Sequence, residues 1–208
     1  MPHTRFTKEF RDEAVRLALT SGRSRREVQS QRTDVLSPRM IHLIEDLSED
    51  WRQLDERIET LTRDITALAR QDVGCQRLMG IPGVGVITAS AMVAAIGTGA
   101  AFAKGRDFAA WLGLVPKQIS TGGRTILGGL SKRGNRYLRT LFVGGAQVLL
   151  QRPRRWDGHG FGRWLAAARA RLHRNVLAAA LANKLARIAW SVLSHANGYD
   201  PEFTERTA

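Results

Sequence analysis

The residues best suited to chemistry lie between Gly113 and Arg139. This stretch combines glycine pairs, hydroxyl groups and cations, and it holds no carboxylate. Gly122, Gly123, Gly128, Gly129 and Gly134 let backbone N–H groups come close to a ligand. Lys117, Arg124, Lys132, Arg133, Arg136 and Arg139 supply positive charge. Exposed N–H groups and cations both favour an oxyanion, so the stretch suits a phosphodiester. Ser120, beside the Gly122–Gly123 pair, is the one hydroxyl placed to do more than bind. The same composition also describes a flexible, solvated basic loop, because glycine-rich motifs over-predict function.

The rest of the chain must hold this stretch. It has 208 residues, enough for one real core and an appended module. Its net charge of +13 and pI of about 11.3 point to a polyanionic partner. The charge is unevenly spread. Residues 1–33 carry eight Lys/Arg against four Asp/Glu, residues 34–74 five against ten, and residues 75–208 nineteen against five. The last segment is therefore the polyanion-binding part. A single cysteine, Cys75, excludes an internal disulfide and a cysteine-based zinc site. His42, His159, His173 and His195 show no metal-ligand spacing, and no metal site is expected. No apolar run approaches the roughly 20 residues of a membrane span. The N-terminus has no signal-peptide pattern, so no membrane partner and a cytoplasmic location are expected.

The periodicities predict a mainly α fold. In residues 1–33, Phe10, Ala14, Val15 and Leu17 recur at helical spacing behind a Thr7 cap, and Gly22 stops them. Ser24-Arg25-Arg26-Glu27 is a capping box that opens a second short helix. In residues 34–74, Met40, Leu47, Leu54, Leu61 and Leu68 take d positions and Ile44, Trp51, Ile58 and Ile65 take a positions. That is a coiled-coil pattern over about four heptads, starting at Ser37-Pro38. A helical hairpin packed on its own domain fits the same pattern.

The compact part is expected over residues 75–200, with a polar tail at 201–208. Gly80-Ile81-Pro82-Gly83-Val84-Gly85 reads as the turn of a helix-hairpin-helix. Gly83 and Gly85 leave N–H groups at the start of the next helix open to a backbone phosphate. The helix Val86 to Ile96 is small and apolar throughout and should be buried. Phe102, Phe108, Trp111 and Leu112 read as the core of a short helix near Arg106. Ser131-Lys132-Arg133-Gly134-Asn135 opens a helix from about Tyr137 to Leu150, with Arg136 and Arg139 in its first turns. Arg152 to Gly160 reads as a basic linker, and Trp156 within it as a core, lid or base-stacking residue. Two helices follow, Leu165 to His173 and Asn175 to His195; Leu177, Leu181, Leu185, Ile188 and Val192 form the stripe of the second.

Two family resemblances attach to these words. Arg5-Phe6-Thr7-Lys8-Glu9-Phe10-Arg11-Asp12-Glu13-Ala14-Val15-Arg16-Leu17, followed by Ser21-Gly22-Arg23-Ser24, resembles the start of the helix-turn-helix protein of the insertion-sequence-three family. From about Asp34 to Pro201 the chain resembles the C-terminal portion of transposases of the insertion-sequence one-ten (one-sixteen / nine-oh-two) family, which are Piv-invertase-like. The motifs are Gly80-Ile81-Pro82-Gly83-Val84-Gly85, Phe108-Ala109-Ala110-Trp111-Leu112-Gly113-Leu114-Val115-Pro116, Ser120-Thr121-Gly122-Gly123-Arg124, Ser131-Lys132-Arg133-Gly134-Asn135-Arg136-Tyr137-Leu138-Arg139 and Ala182-Asn183-Lys184-Leu185-Ala186-Arg187.

The second resemblance implies a coiled coil followed by a domain bearing a serine nucleophile, which by motif position is Ser120. It implies attack on a DNA phosphate, a covalent Ser–DNA intermediate and a structured guide RNA as a second partner. It also implies an RNase-H-like domain with four acidic metal ligands, which this sequence lacks. The expectation is thus a truncated or fused copy, inactive in strand cleavage and transfer by itself, that binds no cofactor, with Mg²⁺ entering only through that acidic domain. The nucleic-acid contacts expected are Gly83, Gly85, Lys117, Gly122, Gly123, Arg124, Ser131, Lys132, Arg133, Asn135, Arg136 and Arg139. A homodimer or higher state is expected through the coiled coil, in a bacterial, nucleoid-associated protein. The alternative is a non-catalytic nucleic-acid-binding protein or a coiled-coil regulatory partner of a full-length transposase.

Overall fold

The computed structural model describes residues 37–121, 123–152 and 159–201. The expected N-terminal helices of residues 1–33, Gly122, Trp156 and the tail after Pro201 lie outside the described residues. The chain divides into two compact units, Met1–Thr60 and Leu61–Ala208.

Helix α1 (Pro38–Gln71) begins where Ser37-Pro38 predicts. Proline fits a first helical turn because its missing N–H has no intrahelical partner there. In the first unit Leu47, Trp51, Leu54 and Ile58 are exposed, and an Arg52–Glu49 ion pair of 2.6 Å lies on the surface. In the second unit Leu61 and Leu68 remain exposed, while Ala69 enters the core. The predicted a/d ladder is thus one continuous helix whose apolar side chains stand mostly in the open.

The rest of the second unit is a helical core with one small sheet. Its elements are α2 (Val73–Met79), α3 (Val86–Ile96), α4 (Gly105–Trp111), β1 (Pro116–Thr121), β2 (Arg124–Leu130), α5 (Arg136–Gln151), α6 (Gly162–Arg169) and α7 (Arg174–Ser194). Asp72 caps α2 by accepting from the Cys75 N–H at 2.7 Å. Helix α3 ends at Gly97, whose φ of 56° breaks the helical path. Only Thr88, Ala89 and Met92 of α3 are buried, so the expectation of a fully buried helix is corrected. Small side chains let one face pack while Ala94 and Ala95 stay in solvent. The helix expected over Leu165 to His173 is shorter and earlier, Gly162–Arg169.

Helix α7 is the centre. It packs against α2, α4, α5 and α6. The predicted stripe is buried at Leu177, Leu181, Leu185 and Val192, and the alanines between them widen it: Ala178, Ala182, Ala186 and Ala189 are also buried. Trp190 Nε1 donates to Gly99 O at 3.0 Å, and Asn183 Nδ2 donates to Leu114 O at 3.0 Å. Against the expectation that no run reaches a membrane span, α7 is the one described helix long and apolar enough to cross a membrane by length and composition. Its 18-residue apolar window is 56% buried inside this domain, as suits a core helix. Around Phe108 the aromatic rings cluster, with Phe102 at 5.4 Å and Phe142 at 6.3 Å between centroids.

The largest correction concerns the glycine-rich stretch. It is a two-stranded antiparallel hairpin, not a loop. The register pairs Thr121 with Arg124, Ser120 with Thr125, Ile119 with Ile126 and Gln118 with Leu127. Thr121 and Arg124 pair at the tip, and the sequence leaves two positions between them, the commonest length for a tight hairpin. Gly123 has φ +82°, the left-handed region such turns require. The register then slips between Pro116 and Gln118, so that Gly128 and Gly129 absorb an extra residue opposite Lys117.

Candidate nucleic-acid interface

Every residue of β1 is exposed, and every residue of β2 except Leu130. Because strand side chains alternate, Ser120 shares a face with Gln118, Thr125 and Leu127. Arg124 projects from the other face, with Thr121, Ile119 and Ile126. The serine hydroxyl accepts from Gln118 Nε2 at 3.0 Å. An amide donor occupies an oxygen lone pair and leaves the hydroxyl proton available. No carboxylate or imidazole on the hairpin could take that proton.

The foot of the hairpin is fixed by backbone packing. Ser131 N–H donates to Val115 O at 2.8 Å and Lys132 N–H to Gly113 O at 3.2 Å. A Cβ on Gly134 would lie 1.8 Å from Trp111 O, and one on Gly113 would lie 2.3 Å from Arg133 O. Only glycine fits this crossing, where the strap of residues 131–135 lies on the end of α4. Lys132 is bent into it at φ 55°, a conformation non-glycine residues rarely adopt. The Ser131 Oγ is buried there without a partner.

The predicted contact residues thus separate into three groups. Lys117, Arg124, Lys132, Arg133 and Arg136 have exposed side chains. Asn135 and Arg139 do structural work: Asn135 Oδ1 caps α5 by accepting from Leu138 N–H at 3.0 Å, and Arg139 Nη1 donates to Leu112 O at 2.9 Å. Gly83, at φ +81°, sits against α5, where a Cβ on Gly145 would lie 2.2 Å from Gly83 O. Its glycine is needed for that close approach. Gly85 caps α3 with open space around it.

Sequence reasoning missed Trp164. Lys184 Nζ lies over its indole ring, 5.0 Å from the centroid. Burial, and the nearby Arg187 charge, push the Lys184 ammonium below its ordinary range. The available signal was an aromatic residue next to arginine, at Arg163-Trp164, in a strongly basic segment. Elsewhere, Cys75 is buried, and burial, together with a hydrogen bond and the charge of Asp72, raises its thiol to about 11.

Among the described residues no group of three or more His, Cys, Asp or Glu could hold an ion. Asp72 and Asp107 are used at helix starts, Asp107 Oδ2 accepting from Lys104 N–H at 3.2 Å. The described acids therefore do not fit a Mg²⁺ ion, which the resemblance implies only through a separate acidic domain.

The hairpin, the strap and the start of α5 together expose five cations, Lys117, Arg124, Lys132, Arg133 and Arg136. Residues 75–159 match the family described as Transposase IS116/IS110/IS902 family. The chain is 45% identical over 163 residues to a probable family 20 transposase of Pseudomonas aeruginosa, an overlap covering 78% of this chain and 48% of the relative. It is 44% identical over 157 residues to the transposase for insertion sequence element IS1328 of Yersinia enterocolitica, covering 76% and 47%. The transposase for insertion sequence element IS1111A of Coxiella burnetii is 38% identical over 165 residues, covering 79% and 45%. The chain spans about half the length of the curated relatives it matches.

Proposed function

We propose that this domain is the DNA-joining part of an insertion-sequence transposase, with Ser120 as nucleophile. The observation that carries the reading is the exposure of Ser120 near the tip of a hairpin that holds Lys117 and Arg124 and no carboxylate. In the step proposed, Ser120 Oγ attacks a DNA phosphorus. One strand oxygen leaves and takes up a proton, and the serine proton passes to a base. The freed strand end later attacks the phosphoserine and restores the hydroxyl. Covalent capture keeps the phosphodiester bond energy for rejoining. The base and any metal come from outside the described residues. Lys117, Arg124, Lys132, Arg133 and Arg136 hold DNA phosphates at the hairpin and the strap, with Gly85, Gly122 and Gly123 allowing close approach. A structured guide RNA is a second ligand of the same chemistry. Cytoplasmic, nucleoid-bound work follows from such a role.

A second reading rests on α1. Its exposed Leu47, Trp51, Leu54, Ile58, Leu61 and Leu68 favour pairing with another copy or with a full-length transposase. A strand-transfer assay with Mg²⁺ and a second chain that supplies the acidic domain, comparing the protein with Ser120→Ala, tests the first reading. Product lost only in the variant is expected. Equal silence of both proteins, with DNA still bound, would leave a binding protein that acts through partners. Loss of all nucleic-acid binding at about 100 mM salt removes the DNA role altogether.

A further inference from the structure

We infer that the groove along the outward side of α7 is a binding site for single-stranded nucleic acid, separate from the Ser120 hairpin tip, with Trp164 as a stacking platform for an unpaired base. The inference rests on the reading of the domain as nucleic-acid-binding.

The groove has a volume of about 1760 Å³ and is lined by α7, the start of α4, the hairpin foot and the turn after α7. Six cations line it: Lys104, Arg106, Lys117, Lys132, Lys184 and Arg187. One carboxylate, Asp200, lines it too, beyond the last turn of α7. Charge of this sign selects a polyanion. Between the cations the wall is apolar, formed by Leu114, Val176, Ala179, Ala180 and Ile188. That wall decides the class of ligand. A duplex keeps its base faces stacked inside and presents phosphates and groove edges, so an apolar wall offers it nothing. An unpaired strand presents phosphates and flat base faces together, and a cationic groove with an aromatic ring is how such strands are held.

Trp164 is half-buried in the groove wall, which leaves part of its indole accessible. Lys184 already lies over the ring. Its desolvation means that a bound phosphate would restore favourable surroundings to the charge. Gly128 and Gly129 of the hairpin bulge also line the groove. Open space surrounds Gly129, and the contacts nearest a Cβ on Gly128 would be at 3.7 Å, so the strand backbone can approach both. At mid-groove the site is rigid, since Asn183 ties α7 to Leu114 O beside the hairpin foot.

The test uses the full chain and fluorescence anisotropy with labelled single-stranded DNA, single-stranded RNA of the same sequence, and duplex DNA. Trp164→Leu is expected to weaken single-strand binding about tenfold and to leave duplex binding unchanged. Trp164→Phe should retain most of the affinity. Arg187→Gln, at an exposed position, should reduce the single-strand salt slope by about 0.7. The DNA and RNA arms show which strand the groove prefers. A single strand carrying 4-thiothymidine should photocross-link to the peptide that contains Trp164, a readout that does not depend on the variants folding. Unchanged single-strand affinity in Trp164→Leu, or cross-links confined to the hairpin tip around Ser120, would overturn the groove assignment while leaving duplex binding intact. Failure of the unaltered protein to bind any of the three nucleic acids would remove both the groove and the reading beneath it.

Discussion

Leu181 and Ile126 are both aliphatic, yet Leu181 is fully buried on α7 and Ile126 is 46% exposed on β2. The contrast holds along both elements. Ten residues of α7 are buried, whereas Ile119, Ile126 and Leu127 of the hairpin stand in solvent. An isolated two-stranded hairpin is marginal in water. This one persists because its foot is clamped by the Gly113–Gly134 crossing and by hydrogen bonds from Ser131 and Lys132. Apolar sequence therefore serves two ends in one domain. On α7 it builds the scaffold, and on the hairpin it dresses an element held at one end and free at the other. That is the arrangement expected where a tip must meet a ligand.

Three tests probe the contrast, in decreasing order of effect. Leu181→Ala should cost about 4 kcal/mol in urea unfolding, and Ile126→Ala less than about 1 kcal/mol. Similar losses at both sites would mean that the hairpin belongs to the core. Gly134→Ala should cost about 3 kcal/mol, because its Cβ would strike Trp111 O at a φ of 113°. Gly129→Ala, with open space around it, should fall within about 0.5 kcal/mol. Equal tolerance at the two glycines would remove the clamp. The smallest effect concerns pH. The Cys75 thiol is raised from 9.0 to about 11 on folding, so its contribution to stability is complete below pH 9 and lost as pH climbs toward 11. Lys184 works the other way, since a lowered ammonium pKa makes stability rise with pH through the range below 10.5. Cys75→Ala should therefore abolish about 1–2 kcal/mol of alkaline loss between pH 9 and 11, read from thermal melts across that range.

Where chain chemistry alone sets an element, the sequence was legible. Pro38 opened α1, and the four-residue spacing of Leu177, Leu181 and Leu185 marked the buried face of α7. The hairpin was missed although its signal was present. Ile119 and Ile126 flank the Gly122–Gly123 pair symmetrically, but glycine and cation content suggested a loop more strongly than two short runs suggested strands. Sites that depend on distant pairs were not legible at all. Nothing local tells that Gly83 meets Gly145, that Arg139 is held by Leu112 O, or that Lys184 crosses Trp164. The exposed Ser120 was legible as a hydroxyl beside glycines; its separation from Arg124 by strand alternation needed the register.

The central claim is that Ser120 forms the bond to DNA. It is tested most directly by trapping the protein, together with a chain that supplies the acidic domain, on a nicked DNA substrate with Mg²⁺, digesting the adduct and mapping the modified peptide by mass spectrometry. The account predicts a nucleotide attached to Ser120 in the Lys117–Arg124 peptide and no adduct with Ser120→Ala. An adduct on another residue, or one that survives in the variant, would contradict it.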